Sequence, residues 1–148
     1  MRTSALKSRI AVIALLAACF GGMVSAGQPT HFADATTVRG DAIASAFKEK
    51  RSDVSVTGVG VVERILPDDN DGKRHQRFIL TLASGQTLLV AHNIDLAPRL
   101  APLSVGDRVE FAGTYEWNAK GGAIHRTHRD PSGKRGAGWL KSNAQFSQ

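Results

Sequence analysis

Four histidines beyond residue 70 are the side chains of this sequence best suited to chemistry. Imidazole transfers protons near neutral pH and binds transition metals. Each of the four lies at or near the end of a predicted strand, where loops commonly build binding sites, although structural histidines fit the same pattern. The candidates for catalysis are His75, His92, His125 and His128.

The polar residues near these histidines are candidates for binding a ligand or for orienting an imidazole. Arginine stabilises developing phosphate charge, and an aspartate can hold a histidine from behind. An aromatic ring in a basic, glycine-rich segment either pins the segment to the domain or stacks on a base or sugar. The binding candidates are Arg77, Asn93, Asp95, Arg126, Arg129, Asp130 and Trp139.

The segment HRTHRD, residues 125–130, argues against a simple metal site. Residues three apart in an extended strand point to opposite faces, so His125 and His128 can share an ion only if the strand breaks near Arg126. No C-x-x-C or H-E-x-x-H pattern supports zinc. No cofactor is therefore predicted, and a divalent metal is kept as an alternative.

Strand parity singles out one residue of this segment. Ile124 must be buried to anchor the last predicted strand, so His125 is expected to point away from the core together with Thr127. Asp130 precedes Pro131 in a turn, where its carboxylate can accept hydrogen bonds from backbone amides. We therefore expect His125 to be the most function-sensitive residue here and Asp130 to support it.

The N-terminus has the pattern of a cleavable signal peptide, residues 1–26. Three positive charges precede an apolar run, which ends at the small residues before Gly27 and is too short for a good membrane span. Cleavage after Ala26 predicts an exported protein, periplasmic or secreted, without a transmembrane segment in the mature chain. A lipobox-like string ending at Cys19, the only cysteine, leaves a lipoprotein as the alternative.

Positive charge is concentrated near the C-terminus. The net charge is +6, and the signal holds three positive charges and no acid, so +3 remains on the mature chain. Residues 120–141 contain six Lys or Arg and only Asp130 as an acid, so the rest of the mature chain is slightly acidic. A polyanion, either nucleic acid or an acidic glycan, is therefore the predicted partner.

The mature chain is long enough for one domain. Residues 27–37 lack periodicity and predict a flexible leader, and residues 38–148 form the domain, with a basic, glycine-rich tail at 129–148. An apolar stripe at helical spacing predicts a short helix early in the domain. The stripe consists of Ala42, Ile43, Ala46 and Phe47.

Strand patterns begin at Val54. The alternation of VSVTGVGVVERIL changes around Gly58 and Gly60, which predicts a bend or bulge in a long first strand. Together with four later strands this predicts a mainly all-β fold, a small five-stranded OB-like barrel preceded by one short helix. An open β-sandwich fragment is the alternative. The later strands are predicted at residues 77–83, 87–92, 107–118 and 123–128.

Three strings carry a resemblance to a known family. RHQRFILTLASGQTLLVAHNIDLAPRL, GTYEWNAKGGAIHRTHRDP and the closing GWL resemble the family called domain of unknown function 3465, small exported bacterial proteins. The resemblance runs from about Gly58 to the C-terminus. It implies a bacterial exported protein and lends no activity.

Three functions stay open. The leading hypothesis is an exported OB-like domain that binds an anionic ligand through its histidine- and arginine-bearing face. The alternatives are a small histidine- or metal-dependent hydrolase of the phosphodiesterase or nuclease type, and an envelope interaction protein without a small ligand. Three or more histidines in one cleft, backed by Asp95 or Asp130, would favour the hydrolase.

Overall fold

The computed structural model describes residues 35–142 and 145–148. The predicted signal peptide, the lipobox-like string at Cys19 and most of the predicted leader lie outside the described residues. Helix α1 (Ala35–Lys48) takes in the last three residues of the segment predicted as a leader. Of the helices that the structure describes, none is long and apolar enough to cross a membrane.

Helix α1 covers one part of the core. Ile43 and Ala46 are fully buried and Phe47 packs against the core, while Ala42 is exposed. The predicted stripe is thus confirmed for three of its four residues. The helix ends where Lys50 adopts a left-handed conformation with φ of 54°, and the Arg51 amide donates back to the Ala46 carbonyl.

Strand β1 (Val54–Asp69) is long enough to pair with two neighbouring strands. Its first half pairs with β4 (Arg108–Glu116) and its second half with β2 (His75–Leu82), and the change of partner falls at Gly60. A strand shared in this way bends the sheet around the core.

The two glycines of β1, Gly58 and Gly60, lie on the buried side of the strand. A Cβ atom at Gly58 would lie 2.5 Å from Phe111 Cζ, so a side chain there would displace the core. Inward positions alternate regularly through both glycines, and the register with β2 shifts between Val62 and Arg64 and again between Leu66 and Asp69. The first of these irregularities therefore lies just beyond the glycines at which the sequence pattern predicted a bend or bulge.

Five strands form a ring. With β3 (Thr87–Asn93) and β5 (Ala123–His125), the strand order is β1-β2-β3-β5-β4, and the pairing of β1 with β4 closes the circuit. Among the strands that the structure describes, β3 and β5 pair in parallel and the other neighbours pair antiparallel. The predicted OB-like class, mainly β with a ring of five strands after one short helix, is confirmed.

The C-terminal tail is part of the sheet. Strand β6 (Trp139–Ser142) pairs antiparallel with β4, and β7 (Phe146–Ser147) pairs with β6. Leu140 of β6 is fully buried. The sequence did not predict these strands, and it overestimated β5, which ends at His125.

The core lies between the inner faces of these strands. The face predicted for β2, Phe78, Leu80 and Leu82, is buried, and so are Phe111 and Tyr115 of β4. Along β1, β2 and β3 the buried positions alternate with half-buried or exposed ones, which face outward and are available for polar chemistry. The buried cluster also includes Val56, Val62, Leu88, Val90, Leu100, Val109, Ile124 and Leu140.

Candidate functional site

A groove of about 980 Å³ crosses the outer face of β1 and β4 and is bordered by the loop that joins β5 to β6. We call it the basic groove, because its described lining holds four Lys or Arg against a single carboxylate. Residues of β1 and β4 contribute to its lining, among them the exposed Ser55, the half-buried Thr57 and the buried Thr114. Its ionisable lining residues are Lys73, His75, His125, Arg126, His128, Asp130, Lys134 and Arg135.

A break in the backbone brings two of the histidines to the same side. Strand β5 ends at His125, and Arg126 turns into the left-handed region with φ of 53°. Two residues that an extended strand would send to opposite faces, His125 and His128, therefore both line the basic groove. Thr127 turns inward and is fully buried, contrary to the predicted parity.

His125 points away from the core, as the burial of Ile124 predicted, and it is held by a carboxylate. Its Nε2 lies 3.1 Å from Glu116 Oε1, and its Nδ1 has no hydrogen bond to any described residue. Because the carboxylate only accepts, Nε2 carries a proton and Nδ1 is the basic atom of the neutral ring. Desolvation lowers the pKa of His125, and the Glu116 hydrogen bond opposes that shift in part.

Glu116 was not among the sequence candidates. It pairs with Ala123 in the β4–β5 ladder, two residues from His125, so the two side chains meet diagonally across the strands. The sequence does show an acidic residue at the end of the predicted fourth strand. Its contact with His125 could not be predicted, because it depends on which strand pairs with β4 and in which register.

His128 is nearly buried, and its Nδ1 lies 2.8 Å from the Arg129 carbonyl oxygen. A carbonyl cannot donate, so Nδ1 carries the proton and Nε2 is the acceptor of the neutral ring. His75 is half-buried at the start of β2, opposite Asn93 on β3, and both line the same groove. Three of the four histidine candidates therefore share one groove.

His92 has a different environment. It is fully buried and does not line the basic groove. Its Nε2 lies 3.0 Å from the Pro98 carbonyl and 3.1 Å from Ser147 Oγ, and its Nδ1 lies 2.8 Å from Thr127 Oγ1. The ring thus connects β3 to β7, to the loop after β3 and to the loop after β5. Burial lowers the pKa of His92, so the ring is neutral inside the fold.

We expect His92→Leu to lower the free energy of unfolding by about 3 kcal/mol, because Thr127 loses its buried hydrogen-bond partner and the Pro98 carbonyl keeps only the bond from Ser147 among the described residues. The wild type should also lose stability as the pH falls below about 6.5. There the unfolded chain takes up a proton that folded His92, with its lowered pKa, does not.

Urea unfolding at pH 7.5 and pH 5.5 measures both effects. His75→Gln is the matched control, a histidine on the outer face of β2, and its unfolding midpoint at pH 7.5 should stay near that of the wild type. An acid-induced loss of stability of the same size in His92→Leu and in the wild type would show that His92 is not its source.

Three of the binding candidates, Asn93, Arg126 and Asp130, line the basic groove. The other four lie elsewhere on the domain. Asp95 accepts from the Arg74 amide at 2.8 Å and from Arg74 Nε at 2.7 Å, and these bonds lower its pKa. Arg77 donates from Nε to the Pro67 carbonyl, and Arg129 is exposed. None of these three residues is among the described lining residues.

Trp139 is the aromatic candidate, and its ring centroid lies 6.0 Å from that of Phe146. The contact joins β6 to β7, and the ring is not part of the described lining of the basic groove. Trp139 was predicted either to hold its segment on the domain or to stack on a ligand. The contact with Phe146 supports the first role.

Asp130 organises the loop that borders the basic groove. Its carboxylate accepts from the Ser132 amide and hydroxyl and from the Lys134 and Arg135 amides, at 2.7 to 3.1 Å. These bonds lower its pKa. The predicted bonding of Asp130 to backbone amides is present. The carboxylate thus fixes a loop whose outward side chains are cations, and it orients no histidine.

Across residues 35–142 and 145–148, no three His, Cys, Asp or Glu side chains come close enough together to hold a metal ion. The break at Arg126 does bring His125 and His128 to one groove. A third protein ligand beside them is not supplied by the described part of the chain.

Fold and site together define a small OB-like β domain with a basic, histidine-bearing groove on its outer face. The chain belongs to the family described as protein of unknown function (DUF3465), whose sequence profile matches residues 24–148. A comparison with curated proteins finds no match.

Proposed function

We propose that this domain binds an anionic ligand, nucleic acid or an acidic glycan, in the basic groove. The observation that carries the proposal is the charge of the lining. Four Lys or Arg side chains line the groove, and the single carboxylate among the described lining residues already accepts four hydrogen bonds from its own loop. An anion entering the groove therefore meets an excess of positive over negative side chains among the lining residues.

The size of the groove favours a segment of a polymer over a small ion. Its volume of about 980 Å³ is near the upper end for small-molecule pockets, and it extends over two strands and a loop. OB folds commonly bind oligonucleotides and oligosaccharides on one face, which supports the proposal by analogy only.

The chemistry of the lining favours recognition of charged groups over stacking. No Phe, Tyr or Trp is among the described residues that line the groove. Binding of single strands usually relies on bases stacked on such rings. Imidazoles and cations remain, so the ligand would be held mainly by its phosphate, sulfate or carboxylate groups.

The proposed place of action is outside the cytoplasm, in the periplasm or medium of a bacterium. The signal-peptide pattern of residues 1–26 supports this, with a mature chain starting at Gly27. A lipid anchor at Cys19 is the alternative. Either site of cleavage leaves the whole basic groove in the mature protein.

Charge reversal on the bordering loop tests the binding proposal. The double variant Lys134→Glu with Arg135→Glu should bind labelled single-stranded DNA or heparin at least about tenfold more weakly at low salt, and wild-type binding should weaken steeply as salt rises. Fluorescence anisotropy across a salt series measures both effects.

The matched control is Lys120→Glu with Lys141→Glu, which changes the net charge by the same amount at exposed positions away from the groove. It should retain most of the affinity. Equal losses in the two double variants would mean that overall charge, and not the groove, attracts the polyanion. Absence of binding by the wild type would remove the proposal in favour of an envelope interaction protein without such a ligand.

A hydrolase of the phosphodiesterase type is a second candidate, favoured by one observation. His125 is held by Glu116 with Nδ1 as its basic atom, and His128 and His75 line the same groove. That arrangement suits a general base with an acid nearby. However, Asp95 and Asp130 are both bonded elsewhere, so the carboxylate support expected for a hydrolase comes only from Glu116.

A further inference from the structure

Two arginines from opposite ends of one loop meet at a single carboxylate. Asp53 Oδ1 lies 2.9 Å from a terminal nitrogen of Arg126 and 4.0 Å from a terminal nitrogen of Arg135. All three side chains are accessible, with 40 % of Arg126, 52 % of Arg135 and 70 % of Asp53 exposed. Both arginines also line the basic groove.

The backbone that carries these side chains is constrained. Asp53 and Arg126 adopt φ of 57° and 53°, a region in which residues other than glycine are uncommon. The Arg135 amide donates to Asp130 Oδ2 at 3.0 Å, which fixes the other end of the loop. The backbone at both arginines is therefore constrained, and in this fold both guanidinium groups lie within 4.0 Å of Asp53 Oδ1.

We propose that Arg126 and Arg135, together with His125, form a subsite for a tetrahedral oxyanion, a phosphate or sulfate ester group of the ligand. This subsite rests on the proposed binding function. Asp53 Oδ1 marks where an acceptor oxygen sits between the two guanidinium groups. His125, next to Arg126 in sequence, lines the same part of the groove with an unbonded Nδ1.

The number of donors separates tetrahedral anions from carboxylates. Asp53 receives one hydrogen bond, from Arg126, and each guanidinium has five N–H groups in a planar fork. A phosphate or sulfate ester offers three oxygens in three directions, which can reach both forks and the imidazole at once. A carboxylate offers two oxygens in one plane and reaches fewer of these donors.

Asp53 acts as an internal competitor at this subsite. Its ion pairs are exposed, and exposed pairs of this kind are weak and screened by salt. An incoming oxyanion shares or displaces the Asp53 contact. Removal of the Asp53 charge should therefore increase affinity for the oxyanion, whereas a purely structural role would not.

The test compares three polyanions by competition binding, namely inorganic polyphosphate, dextran sulfate and polygalacturonate, which carry phosphate, sulfate and carboxylate groups. The wild type should prefer the first two over polygalacturonate by about tenfold or more. Arg126→Lys with Arg135→Lys keeps the charge but removes both forks, so it should lose the preference and keep polygalacturonate binding. Asp53→Asn should bind polyphosphate about threefold more tightly.

Arg74→Lys with Arg108→Lys is the matched control, and it should keep the preference. Thermal melts verify the fold of each variant, and if the Arg126 and Arg135 double variant melts early, Arg135→Lys and Asp53→Asn provide the comparison. Equal affinity for all three polymers, or an unchanged preference after removal of the forks, would overturn the subsite and leave the binding function standing. Failure of every polymer to bind would overturn the binding function itself. The ratio of polyphosphate to dextran sulfate affinity identifies which ester the subsite prefers.

Discussion

Truncation after His128 should yield a chain that does not fold cooperatively. The deletion removes β6, which pairs with β4 along Val109–Ala112, and with it Leu140, which is fully buried. Loss of a buried leucine alone costs about 2 to 5 kcal/mol. The lost ladder hydrogen bonds add about 1 kcal/mol each, against a total stability of about 5 to 15 kcal/mol for an ordinary domain.

The same deletion also removes a partner of the buried histidine. Ser147 Oγ lies 3.1 Å from His92 Nε2 and donates to the Pro98 carbonyl, so its loss loosens the loop after β3. Far-ultraviolet circular dichroism and hydrogen exchange of the truncated chain measure the effect. The full-length charge-reversal variant at Lys134 and Arg135 is the control, because it alters the same segment and should keep a cooperative melt.

A truncated chain that melts cooperatively near the wild-type temperature would show that β6 and β7 are dispensable for the fold. Because we expect the opposite, truncation cannot separate the basic segment from the domain. The contribution of that segment to polyanion binding is measurable only by point substitutions on its exposed side chains.

The second large effect is expected at His125. His125→Ala should abolish measurable binding of the anionic ligand or, for a hydrolase, its turnover, while the melting temperature changes little. The side chain lies outside the core with 32 % of its surface exposed, and Glu116 stays solvated when the ring is removed. Its removal deletes the one groove imidazole that a carboxylate holds in position.

The lowered pKa of His125 also predicts how anion affinity should change with pH. Since desolvation lowers the pKa of His125, the ring is mostly neutral at pH 7 and gains its proton only below about pH 6.5. A bound anion favours the charged ring, so wild-type affinity should rise as the pH falls below that value, and His125→Gln should lack this rise. Turnover with His125 as a general base would instead decline over the same range.

Controls at neighbouring positions make the result specific. His128→Ala and Asp130→Asn should be compared with His125→Ala for melting temperature, metal content and hydrolysis of a generic phosphodiester. Asp130→Asn should loosen the bordering loop, because its carboxylate accepts four bonds there. If His125→Ala unfolds the domain but leaves activity per folded molecule intact, the residue is structural and its assignment is wrong.

Much of the fold was predictable because it follows from local periodicity. Alternation gave the buried face of β2, and helical spacing gave the buried side of α1. The strands β6 and β7 were missed, because a short segment among glycines and cations has little pattern of its own. Its strand conformation depends on the edge of β4, which lies about 30 residues earlier in the chain.

The sequence by itself determined the mainly β class, the short helix that precedes the first strand, the family and the types of residue available for chemistry. Only the tertiary structure decided which histidines share a site. His92 and His125 look alike in the sequence, yet one is sealed by Thr127, Pro98 and Ser147, and the other lines the basic groove. The physical reason is that burial and hydrogen-bond partners come from distant segments, and that one left-handed residue, Arg126, interrupts the strand so that His125 and His128 line the same groove.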